Sequence, residues 1–151
     1  MATSRFQNLR VALAALIVTR LSTDNTSDVT VTEYPPLGDP TREDRVWLAE
    51  ISGTQEPFTM GGSSGNRQEI LEIELRVYAP THGGTSEEQS SGESRAELIF
   101  ASVENAVRTD ITVSSTVYNI ELASFESHVD QVDEHGPFGF IEVTLTAESH
   151  L

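Results

Sequence analysis

Apolar residues recur along this chain at two spacings, and the spacings alternate. Over residues 3–22, Phe6, Leu9, Leu13, Leu16, Ile17 and Leu21 fall on one face at the 3.6-residue period of a helix. Ala12, Ala14 and Ala15 favour that helix and permit close packing. Thr3 or Ser4 offers a capping hydroxyl, with no Glu or Gln at the capping-box spacing. A period of two then takes over. Residues 28–34 set Val29 and Val31 against Thr30 and Thr32, and Pro35 and Pro36 stop the strand. Residues 45–53 predict a second strand, with Trp47, Ala49 and Ile51 on one face. Residues 69–78 alternate most regularly: Leu71, Ile73, Leu75 and Val77 face one way, Glu72, Glu74, Arg76 and Tyr78 the other. Helical spacing returns over 93–109 through Ala96, Ile99, Val103, Ala106 and Val107. Residues 116–125 and 138–148 predict two last strands. In the second, Ile141, Val143, Leu145 and Ala147 oppose Glu142, Thr144, Thr146 and Glu148.

The order is helix, three strands, helix, two strands. Amphipathic strands leave one sheet face wet or paired, so the pattern predicts an α+β fold. Its sheet is mostly antiparallel, of about four to five strands, with two helices packed on one face. No internal repeat interrupts this order. A length of 151 residues fits a single domain, 1–151, with flexible loops expected at 54–68 and 79–92. The first loop is glycine-rich around Gly61, Gly62 and Gly65; the second is rich in Gly, Ser, Thr and Glu.

Composition narrows the function. There are 24 acidic residues against 9 basic ones, all arginine, for a formal net charge of −15. Such a chain repels nucleic acid and anionic membrane at long range, which argues against a DNA-binding or membrane-binding surface. A surface that lies near DNA without adhering to it stays open. The absence of cysteine excludes disulfides and thiolate metal sites. The apolar run 11–18 is closed by Arg20, no small-residue cleavage pattern follows it, and it is too short to span a bilayer.

The chemical motifs are weak. His128 and His135 share the segment 126–136 with Asp130, Asp133 and Glu134, a conceivable divalent-metal site for a small hydrolase. The spacing matches no zinc pattern, and an acidic solvated loop is the plainer reading. Glu69, Glu72 and Glu74 could pair as acid and base, but read more simply as a solvated strand face. The loop 61–65 lacks the Gly-Lys-Ser/Thr ending and the following helix of a phosphate cradle. No Gly-x-Ser-x-Gly elbow occurs. The pattern therefore predicts neither an enzyme nor a cofactor. Trp47 reads as a core or interface anchor in preference to a ligand-stacking ring.

Taken in order, these features resemble the tail terminator, or tail completion, proteins of long-tailed siphophages, particularly those of actinobacterial phages. The resemblance rests on the alanine-rich first helix, the strand containing residues 46–50 (Val-Trp-Leu-Ala-Glu), and the loop Thr59, Met60, Gly61, Gly62. Arg67 then leads into the strand 69–78, and a helix of the kind in 95–108 follows. It covers nearly the whole chain and includes no catalytic motif. It implies a homo-hexameric ring at the head–tail junction of a virion, assembled in the bacterial host cytoplasm. The implied partners are the major tail tube protein and a head–tail connector or head-completion protein. Genomic DNA would pass through the lumen without specific binding, and no membrane is involved. A head-completion protein or the tube subunit itself is the neighbouring alternative. Within this reading Phe58 and Met60 are apolar residues that a solvent-facing loop has little reason to keep. Phe58, Met60, Gly61, Gly62, Arg67 and Trp47 are therefore the candidate inter-subunit or tube contacts.

Overall fold

The computed structural model describes residues 5–24, 28–36, 43–57, 67–80, 86–113, 117, 119–130 and 138–150. The elements are α1 (Arg5–Thr23), β1 (Thr30–Thr32), β2 (Arg45–Pro57), β3 (Arg67–Pro80), α2 (Ser86–Thr109), β4 (Asn119–Asp130) and β5 (Phe138–His150). The strands form one five-stranded sheet in the order β1-β2-β3-β5-β4. β2–β3, β3–β5 and β4–β5 pair antiparallel, and the short β1 runs parallel to β2. The fold is α+β, as the alternating periods predict.

Side-chain periodicity places the core. Leu71, Ile73, Leu75 and Val77 of β3 and Ile141, Val143, Leu145 and Ala147 of β5 are buried on one sheet face. Against them pack Leu9, Leu13, Ile17 and Leu21 of α1, and Ala96, Ile99, Val103 and Val107 of α2. Burying one Leu or Ile side chain stabilises by about 1.5–3 kcal/mol, so this face holds the two helices side by side on the sheet. Leu16 is only partly buried, and Phe6 lies at the rim, 36% exposed.

Four features depart from the sequence reading. In β2, Val46 and Leu48 enter the core while Trp47 faces the other side. A bulge between Leu48 and Ile51 shifts the register, so Ile51 pairs with Ile73 and returns to the core side. One inserted residue inverts the alternation beyond it, which a strict period of two cannot represent. Second, β2 extends to Pro57 and β3 begins at Arg67, so both ends of the segment expected as loop, 54–57 and 67–68, pair as strand. Third, α2 begins at Ser86, so the latter part of the expected 79–92 loop is helix. Fourth, β4 runs on to Asp130, pairing with Phe138. Cross-strand hydrogen bonds to β5 outweigh the polar composition of residues 126–130.

Polar ties fix the layers. The β2 bulge removes Ala49 from the ladder, and Arg10 reaches across from α1 to cap the local carbonyls. It donates from Nη2 to Ala49 O at 2.6 Å, and from Nη1 to Leu48 O at 3.3 Å and Glu33 O at 2.8 Å. The same guanidinium lies 4.6 Å from the Tyr34 ring centroid. Arg95 of α2 joins Asp44 and Asp28, each at 2.8 Å. The hydrogen bond that Arg95 donates to Asp44 is the main cause of a raised Arg95 pKa, working against desolvation and helped by the charges of Asp44 and Asp28. Ser102 Oγ donates to Asp24 Oδ2 at 2.7 Å, tying α2 to the end of α1.

Two backbone positions show what close packing demands. Gly139 of β5 lies under α2, where an added Cβ would fall 2.3 Å from Gly92 O and 2.9 Å from Glu93 N. Glycine at 139 is what lets the helix approach the strand. Val113 adopts φ 46°, in the left-handed region, just beyond α2. That conformation costs about 1–2 kcal/mol. Full burial of its side chain, 0% exposed, returns about as much or more, so the strain is tolerated.

Candidate functional site

The sheet face opposite the helices is covered by no other described element. Pairing register sets its side chains in rows across β2, β3, β5 and β4. The first row is Arg45, Tyr78, Phe140 and His128, and the second is Trp47, Arg76, Glu142 and Glu126. Beyond the bulge come Glu74, Thr144 and Ser124, then Ser52, Glu72, Thr146 and Glu121, and finally Thr54, Ile70, Glu148 and Asn119. The face is therefore aromatic at one end and rich in carboxylates over the rest.

At the aromatic end, the Trp47 ring lies 6.4 Å from Tyr78 and 6.1 Å from Phe140, tilted by 48° and 44°. His128 lies 6.4 Å from Phe140. Tilted pairs at these distances are attractive beyond their buried area. Tyr78 is only 3% exposed, so Trp47 and Phe140 cover it. Trp47 is thus an anchor of this face; the core proper is on the other side of the sheet.

Next to the aromatics, Arg76 is the central cation. Its Nη2 lies 3.2 Å from Glu74 and its Nε 3.9 Å from Glu142. Glu72, Glu121 and Glu126 are exposed, and Glu142 and Glu148 are half-buried. Glu69, grouped with Glu72 and Glu74 on sequence, lies on the helix side of the sheet and is 3% exposed. Its position one residue out of phase with theirs is what separates it.

Potential metal donors are also rearranged relative to the sequence. His128 and Asp130 belong to β4, and Asp133, Glu134 and His135 lie outside the described residues. His128 is instead brought together with Glu126 and Glu142, whose donor atoms all lie within 4.8 Å of one another. His128 Nε2 is 3.7 Å from Glu126 Oε1. One imidazole with two carboxylates could ligate a divalent cation, but the group stands open to water on an exposed strand.

The loop candidates Phe58, Met60, Gly61 and Gly62 lie outside the described residues. Arg67 begins β3 opposite Pro57, with its side chain outside the description. Of the β4 carboxylates, Asp130 is singled out on sequence but Glu121 and Glu126 are not. The signal was available in the alternation of Glu126 and His128, but it is recognisable only once β4 is known to continue to Asp130.

No protein-family model and no curated protein matches the chain. Among solved structures, it is similar to a chain of a particle described as "Virion of native gene transfer agent (GTA) particle". The TM-score is 0.43 at 11% sequence identity, over 91% of this chain and 94% of that chain. This is a distant likeness of shape alone. Among the described residues, no helix is long and apolar enough to cross a membrane.

Proposed function

We propose that this chain is a structural subunit of a phage-type virion, a tail terminator that closes into a six-membered ring at the head–tail junction. The observation that carries the reading is the uncovered sheet face, where Glu72, Glu74, Glu121, Glu126, Glu142 and Glu148 outnumber Arg45 and Arg76. Turned inward in a ring, that face would line a channel with fixed negative charge. Phosphates passing it would find few cationic partners, so DNA would slide without adhering. The order of elements that resembles the terminator family supports the same reading. In it the chain has no catalytic role and needs no cofactor.

The ring would cap the tube protein on one side and meet a connector on the other. Phe58 and Met60, with Gly61, Gly62 and Arg67, are proposed to grip a neighbour or the tube, and Trp47 to stiffen the adjoining sheet face. The test is tube polymerisation with the cognate tail tube protein in the presence of the purified chain. Tubes that stop growing, with a ring of extra density at one end, are expected. Unchanged tube lengths and bare ends would overturn the assignment. Long rods formed by the purified chain alone would make it the tube subunit instead. The double variant Phe58→Ser with Met60→Ser should fold normally by circular dichroism yet fail to cap; normal capping would remove the loop from the contact.

A further inference from the structure

The two lateral edges of the sheet are unequal. β1 closes one side with only 3 residues, Thr30–Thr32. β4 closes the other with 12, and among the described residues no element pairs with its outer edge. Beyond the irregularity between Leu122 and Ser124, residues 124–130 pair with β5 without interruption. β4 contains neither proline nor lysine, two residues with which proteins commonly blunt such an edge. Its outward N–H and C=O groups are a template for one more strand.

Side chains along this edge are exposed on both faces. β5 alternates buried and half-buried positions over 139–148, whereas residues 123–128 of β4 are all exposed. On the helix side, Phe125 is 60% exposed with its ring 5.1 Å from Phe100. Toward Asn119 the same side opens into a groove of about 430 Å³ whose apolar walls are Val107, Ile111, Ile120 and Leu122. The charged members of its lining are Glu104, Arg108 and Glu121; Arg108 and Glu104 pair at 3.2 Å, so the groove is net acidic. The open side of β4 is acidic too, with Glu121 and Glu126 beside His128, and no Lys or Arg occurs in the strand.

A strand added to this edge would present alternate side chains to the two sides. On the helix side they would meet Leu122, Phe125 and the groove. On the open side they would meet Glu121 and Glu126. We infer that the β4 edge binds an extended segment of another protein in which arginine or lysine alternates with an apolar residue. Opposite charges facing each other across paired strands stabilise the pair, and like charges oppose it. A second copy is therefore the wrong occupant: β4 against β4 would set carboxylates together with no cation between them, and β1 is too short to fill the edge. Nor can one of the chain's own connections supply the strand, because outside the helices and strands it holds one arginine, Arg42, and no lysine.

The probe is a synthetic peptide of about eight residues alternating arginine with valine, titrated into the full chain at about 0.15 M salt. It should bind at least about 10-fold more tightly than the same residues arranged in two blocks, and than a peptide alternating glutamate with valine. Binding should slow backbone amide exchange at every second residue of 124–130, those whose N–H groups point outward. Glu121→Lys with Glu126→Lys should reverse the choice between the arginine and glutamate peptides. Phe125→Ser should weaken the arginine peptide about 5-fold. These positions are exposed, and circular dichroism checks that the variants fold. Equal binding of the block peptide would reduce the effect to net charge and overturn the inference. So would no binding at about 1 mM, or binding that leaves exchange over 124–130 unchanged. Protection of those amides in the native chain without peptide would give the edge to a second copy and overturn it as well. None of these readouts involves the tail tube, so the terminator reading and this inference fail separately.

Discussion

Arg10→Ala should destabilise this fold more than an ordinary half-exposed arginine would. Its guanidinium donates to Glu33 O, Leu48 O and Ala49 O at 2.6–3.3 Å and lies over the Tyr34 ring. Hydrogen bonds involving a charged group contribute about 1.5–3 kcal/mol each, but water can replace part of this set at a half-buried site. The stacking on Tyr34 adds about 0.5–1 kcal/mol. Allowing for non-additivity, the loss should be about 2–3 kcal/mol, or about 4–12 °C in Tm for a domain of this length. Arg10→Met, which keeps the apolar stem and removes the donors, should lose nearly as much. Arg10→Lys should recover less than half, because one ammonium cannot reach carbonyls served by two separate nitrogens. Thermal and urea unfolding followed by circular dichroism measures all three. A change within about 0.5 kcal/mol for Arg10→Ala would refute the claim that this side chain stabilises the bulge.

Other outcomes follow from the same structure. Gly139→Ala should cost about 3 kcal/mol, because its Cβ meets the backbone of Gly92 and Glu93 and the helix must move; amide exchange in the first turns of α2 should quicken. A double-mutant cycle of Arg95→Ala with Asp44→Ala should return about 1 kcal/mol, while the cycle with the more exposed Asp28 should return close to zero. Since the Arg95 pKa is raised on folding, its contribution is fully present below the ordinary arginine value and lost only as pH rises through the higher folded value. Stability measured between about pH 7 and pH 10 should therefore show no loss from this group. Glu72→Lys combined with Glu142→Lys should create salt-dependent DNA binding that the native chain lacks in a filter assay. Calorimetry with zinc should show no micromolar binding; binding abolished by His128→Ala would revive the metal reading.

Much of the fold was legible because burial imposes period on sequence. The faces of β3 and β5, and the stripes Leu9, Leu13, Ile17, Leu21 and Ile99, Val103, Val107, are readable without coordinates. What escaped depends on events that leave no local period. The bulge after Leu48 puts Ile51 on the face opposite Trp47, although a strict period of two keeps them together. The start of α2 at Ser86 lies in a stretch whose composition suggests loop, and Gly92 there reads as a breaker until its contact with Gly139 is known. Residues 126–130 join β4 through cross-strand pairing that only tertiary structure supplies. The candidate surface was half legible. Glu72, Glu74, Glu142 and Glu148 stand out as wet positions, but their alignment with Glu121 and Glu126 requires the strand order β3-β5-β4. The three long-range contacts of Arg10 cross layers and carry no sequence signal at all.

The most direct measurement is electron microscopy of the purified native chain, combined with thiol labelling of Glu72→Cys, which would be the sole cysteine in the protein. The account predicts six-fold rings with an open centre, in which Cys substituted at position 72 reacts with a small maleimide but is shielded from one too bulky to enter the lumen. Monomers in the micrographs, or rings in which that thiol reacts equally with both reagents, would contradict a ring whose acidic sheet face lines the channel.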